Sequence, residues 1–173
     1  MKLDTAGFTL LELLVVIATI GVLATTLITS TNEARILAQD SVRKADTSSI
    51  AKALFAYNLS KGNWIEAGSG CGHNGDGNGW FNYEGTNYPK SISTCLLEEG
   101  FIPATIIDPS KNTVSDVVSN NAYMKYTCTE SGRKTTYVYA KLAATDTTST
   151  ATDNTCCPTC DSSYGMNYYI KID

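Results

Sequence analysis

The chain has 173 residues, enough for one domain and an appended element, and its net charge of −4 arises without any cluster of Lys and Arg. That balance excludes a dedicated nucleic-acid binder, whose footprint is a basic face, so no dedicated nucleic-acid site is expected. Hydrophobic residues make up 43% of the chain but are unevenly spread: Phe8 to Ile28 is almost wholly apolar, and the remainder is rich in Ser, Thr, Asn, Gly and Tyr. The part after Ala34 is small enough for its core to want covalent staples.

Residues 1–7 form a short polar leader in which Lys2 is offset by Asp4. The apolar run 8–28 rises about 31 Å as a helix, close to the roughly 30 Å of a hydrocarbon core, which predicts a membrane-spanning half. A cleaved signal peptide, ending at Val22-Leu23-Ala24, would have a stronger basic region and a shorter apolar run. A plain single-pass anchor explains the length but leaves Glu12 without a purpose. A carboxylate at membrane depth costs about 2.5–3.5 kcal/mol on insertion scales and requires a partner. A cut between Gly7 and Phe8 supplies one, because the new α-amino group then lies four residues before Glu12, about one helical turn away. The pairing can form within one helix or between neighbours, and the second arrangement would recruit subunits and set their axial register. Glu12 also falls in the first helical turn, where negative charge suits the helix dipole.

The stretch Gly7-Phe8-Thr9-Leu10-Leu11-Glu12-Leu13-Leu14-Val15-Val16-Ile17 resembles the N-terminal signature of type IV pilins and type II secretion pseudopilins. The resemblance is strong over about the first quarter of the chain. It implies that a prepilin peptidase cuts after Gly7 and methylates the amine of Phe8, and that Glu12 serves assembly. It further implies a precursor held in the inner membrane with its head outside, an assembly platform of a pilus or secretion system, and a homo-oligomeric helical filament at the cell surface. Adhesion, twitching motility, DNA uptake and protein secretion are the roles such filaments serve. Many members carry a proline near the position of Thr29; this chain has none. Gly21, followed by Thr25, Thr26 and Thr29, is the expected weak point instead, since glycine costs about 1 kcal/mol in a helix interior.

Residues 29–60 contain good helix formers without Gly or Pro, and Ile50, Leu54 and Tyr57 recur at helical spacing, predicting an amphipathic half that packs on a sheet. Gly62 is placed to cap its end. Within the head, 61–173, the segment Ala67–Gly85 is a glycine-rich loop with no Lys-Ser/Thr to make it a phosphate cradle. Asn74, Asp76 and Asn78, followed by Gly79, fall at the odd-position offsets of a calcium loop, but the first ligand is Asn and Glu84 comes one residue before the twelfth position. Calcium is therefore the one cofactor the pattern suggests, beside the plainer reading of a solvated loop pinned by Cys71. Ser93–Glu99 reads as a short helix and Gly100–Pro109 as a turn and extended segment, an arrangement similar to pseudopilin heads. Tyr123–Thr129 and Thr135–Leu142 read as a hairpin around Glu130–Lys134, Asn167–Ile172 as a last strand, and Thr145–Thr155 as loop.

Cys71, Cys95, Cys128, Cys156, Cys157 and Cys160 all follow the apolar run, and an even number there reads as disulfides in an oxidising compartment, with 15 connectivities open. A zinc site would have only His73 to complete it. A redox reading of Cys157-Pro158-Thr159-Cys160 lacks the strand–helix context it needs. With a single histidine and no Gly-x-Ser-x-Gly element, no hydrolase is expected. The fold class expected is α+β and pilin-like: one long N-terminal helix, half membrane-spanning and half amphipathic, packed on a small antiparallel sheet with disulfide-stapled loops. The function expected is a filament subunit, the alternative being a membrane-anchored, disulfide-rich extracytoplasmic binding module that does not polymerise.

Overall fold

The computed structural model describes residues 7–111, 121–144 and 154–173, except for the side chains of 26–30. Most of the leader and most of the expected 145–155 loop lie outside the described residues. The chain divides into two compact units, Met1–Ala38 and Gln39–Asp173.

Helix α1 is a single 52-residue helix, Leu10–Lys61, unbroken at Gly21 and at Thr29. No helix among the described residues is long and apolar enough to cross a membrane. This corrects the expected membrane-spanning half at 8–28 and, with it, the fold class built on that span. Within the described part of this segment a carboxylate, Glu12, interrupts the apolar run, and a carboxylate at membrane depth costs about 2.5–3.5 kcal/mol. The segment also carries Thr19 and Thr25, whose hydroxyls donate back to the carbonyls of Val15 and Val16 and of Val22. At the other end, Gly62 adopts φ 74° and its N–H donates to Asn58 O at 2.8 Å, the left-handed closure that glycine allows without steric cost.

In the second unit, β1 (Gly79–Trp80), β2 (Tyr123–Glu130), β3 (Arg133–Ala140) and β4 (Tyr168–Ile172) form one antiparallel sheet in the order β1-β2-β3-β4. The β2–β3 hairpin closes tighter than the sequence suggests, through Ser131 and Gly132 alone, both at positive φ (50° and 82°). That pair of conformations matches the twist of the flanking strands. The short helix α2 (Ile92–Glu98) starts at Ser91, whose hydroxyl accepts from Thr94 N, satisfying one orphan donor of the first turn.

Strand alternation sorts the sheet's side chains onto two buried faces. One face joins Tyr123, Val138 and Ala140 to Ile50, Ala53 and Leu54 of α1, to Ile92 and Leu96 of α2, and to Trp64, Ile65 and Phe81. The other gathers Trp80, Met124, Tyr137, Tyr139 and Met166 against Cys157 and Cys160. All six cysteines are paired: Cys71–Cys95, Cys128–Cys156 and Cys157–Cys160. The first ties the glycine-rich loop to α2, the second fastens the 154–166 segment to β2, and the third closes a turn within that segment.

A buried ion network fixes where α1 meets the head segments of its own unit. Arg43 donates to Asp40 at 2.7 Å and to Asp108 at 2.9 Å, while Asp40 also accepts from the backbone N–H groups of Ala143 and Ala144. Burial pushes both carboxyls up, but the Ala143 and Ala144 N–H groups with the guanidinium at Asp40, and the guanidinium with the Ser110 N–H and hydroxyl at Asp108, outweigh it and hold both below the usual carboxylate range. Removing one partner from a buried pair leaves an uncompensated charge. Arg43→Met is expected to destabilise the protein by about 3–5 kcal/mol, read as a shift in the denaturant midpoint at unchanged slope.

Candidate functional site: the N-terminal helix surface and the glycine-rich loop

From Phe8 to Leu23, every large apolar side chain is more than half exposed; Phe8 reaches 90% and Leu10 84%, and the least exposed, Val15 and Val16, stand at 52%. These residues surround the helix rather than forming a stripe. A helix that is hydrophobic all round is stable in water only when something covers it. Surface of this kind marks an interaction site.

Glu12 has a partner that the sequence reading overlooked. Its Oε2 accepts from Thr9 N and from Thr9 Oγ1, each at 2.9 Å, and Thr9 Oγ1 accepts from Glu12 N at 3.3 Å. This is a reciprocal capping box, with Thr9 as N-cap and Glu12 three residues on. The signal was readable as Thr-x-x-Glu. The Thr9 backbone N–H, then its hydroxyl, holds the Glu12 carboxyl below the ordinary glutamate range. The carboxylate is thus kept charged, with Oε1 outside these bonds. Gly7 has nothing within 4 Å of the position its Cβ would take, and Gly21 is likewise open on the helix surface, so the cleavage and assembly positions picked from the sequence are accessible along this one segment.

Each of the calcium candidates Asn74, Asp76 and Asn78 has a hydrogen-bond partner within the protein. Asp76 Oδ1 accepts from Asn78 N at 2.8 Å, Asn78 Oδ1 accepts from Thr127 N at 2.8 Å, and Asn74 Nδ2 meets His73 Nδ1 at 3.2 Å. Each side chain shapes the loop or ties it to β2. A side-chain amine of the protein also organises the loop. Lys125, fully buried, donates through Nζ to Gly77 O at 2.7 Å and to Ile65 O. Gly77, at φ 77°, lies so close to Ile65 that a Cβ would collide with its carbonyl, which brings both oxygens to one amine. Burial pushes the Lys125 amine down to about 7 against the attraction of the Asp76 and Glu66 carboxylates. Among the described residues, the one cluster with metal-ligand geometry is Cys128, Glu130 and Cys156, and its two sulfurs are joined in a disulfide. The Cys157–Cys160 bridge is buried, consistent with a structural staple.

No protein-family model, no curated protein and no solved structure matches the chain.

Lys125 yields a prediction with a definite sign. A lysine whose amine is depressed on folding is neutral in the folded chain between about 7 and its ordinary value, while the unfolded chain still binds the proton. Folding stability therefore rises with pH across that window and is flat below it. Tyr88, Tyr123 and Tyr139, raised by burial, reverse the trend only above about pH 10. Lys125→Met is expected to abolish the rise and to cost about 2–4 kcal/mol at pH 7, since two buried carbonyls lose their donor; chemical denaturation from pH 6 to 10 measures both.

Proposed function

We propose that the chain is a structural subunit of a type IV pilus-like filament and polymerises through its N-terminal helix. The observation that carries this reading is the coat of exposed apolar side chains from Phe8 to Leu23, of which a second copy of the same helix is a self-consistent cover. Burying such a surface contributes about 25 cal/mol per Å², ample to drive association once several helices share it. Removal of residues 1–7 by a prepilin peptidase frees the amine of Phe8, which methylation then marks. In the assembled helices, that amine pairs with Glu12 of a neighbouring subunit, and the pairing sets the axial register. The filament serves at the cell surface or, as a pseudopilus, in protein secretion, and it works with an assembly platform.

The capping box sharpens the test. Glu12→Gln keeps an acceptor for Thr9, because a capping box takes Gln as well as Glu, but removes the charge. Glu12→Ala removes both. Filament formation, followed by electron microscopy and sedimentation, is expected to fail in both variants. Wild-type assembly by Glu12→Gln would show that the acid is a helix cap and nothing more. Intact mass spectrometry of the native protein is expected to show a chain beginning at Phe8 with one added methyl; a chain still carrying residues 1–7 would overturn the proposal.

A further inference from the structure

Beside the glycine-rich loop lies a cavity of about 340 Å³, within the range of small-molecule sites. Five aromatic rings line it: Trp80, Tyr83, Tyr88, Tyr126 and Tyr164. Their ring planes stand steeply to one another, at 76° for Tyr83 and Tyr88 and 80° for Trp80 and Tyr164, so the walls turn around a hollow instead of closing into a stack. Between the rings, His73, Asp76, Asn78 and Thr86 border the same space.

The hollow is built in advance. Trp80 N donates to the Tyr88 hydroxyl at 2.9 Å, and this is permitted only because residue 79 is glycine, at φ 99°, where a Cβ would collide with that hydroxyl. His73 meets Tyr88 edge-on at 5.6 Å between ring centroids. Asn78 is anchored to Thr127, and the loop is fastened by Cys71–Cys95. A site that is rigid before binding loses less entropy when it is filled.

We propose that this pocket binds a neutral carbohydrate, a mono- or disaccharide unit of pyranose rings. A pyranose has an apolar C–H face and an edge of hydroxyls. Tyrosines match both, with an apolar ring and a polar tip, and the amide, imidazole and hydroxyl groups between them supply further donors and acceptors. An organic cation is the competing occupant of an aromatic box, but the wall offers it little net charge. Its only carboxylate, Asp76, interacts with the buried Lys125 amine behind the loop and already accepts from Asn78 N. A purely apolar ligand would strand the polar groups without partners. Sugar binding here is independent of whether the chain polymerises.

The test uses the full chain. Trp80 lines the pocket, while Trp64 is buried in the core on the sheet's other face, so ligand-dependent changes in tryptophan emission report on Trp80. Glucose, galactose, mannose, N-acetylglucosamine and their disaccharides are titrated to tens of millimolar, with tetramethylammonium as the cation probe. A saturable response to at least one neutral sugar is expected. It should weaken roughly ten-fold in Tyr164→Ala, which removes an exposed aromatic wall, and measurably in Thr86→Val, which removes a hydroxyl on the surface and leaves the core untouched. No saturable response to any sugar, a response to tetramethylammonium alone, or equal affinity in wild type and both variants overturns the proposal.

Discussion

A sheet has two faces to bury, and the second unit of this chain has one long helix to offer. Strand β3 is covered on both sides, so the face away from α1 must be closed by irregular chain. Irregular chain buries little apolar surface per residue and loses much conformational entropy on ordering. Two of the three disulfides lie in that cover, and sulfur replaces the apolar side chains that a second helix would have supplied. The tyrosines follow from the same need. Tyr137, Tyr139 and Tyr169 contact one another ring to ring, filling wide gaps while keeping their hydroxyls near polar partners such as Glu130 and Asn154.

Local patterns proved the most legible in the sequence. The short helix, the hairpin strands and the last strand all lie within about two residues of where propensity and alternation put them, because each is decided within a few residues. Long-range electrostatics were not legible. Arg43 and Asp108 are 65 positions apart, and nothing local distinguishes Arg43 from an ordinary helix former. Lys125 was hidden by a rule that fails here. Alternation sends polar residues to the wet face of a sheet, yet this sheet has no wet face at that position, so the lysine lies inside with two carbonyls. The capping box is spelled by Thr9 and Glu12 alone, but it lies inside a segment whose apolar character dominates its pattern. The membrane span expected from the apolar run 8–28 is not matched by any helix among the described residues.

The glycine-rich loop shows how one set of constraints produces several features. Gly77 must lack a side chain so that two carbonyls reach Lys125, and Gly79 must lack one so that Tyr88 reaches Trp80. Between these contacts, Asp76 and Asn78 hold the loop to itself and to β2. The loop wraps around an internal amine, that of Lys125. The rigidity that results extends to the aromatic walls on its far side.

The Thr9–Glu12 box also restrains a side chain that would otherwise wander. A free glutamate on a helix sweeps through several rotamers, and any group that meets it must first arrest that motion. Here one oxygen is already moored to Thr9 by two donors, so the other oxygen keeps a nearly constant bearing from the helix axis. An approaching cation therefore finds a fixed compass point rather than a moving target, and neighbouring helices that align on it would share the same angular setting.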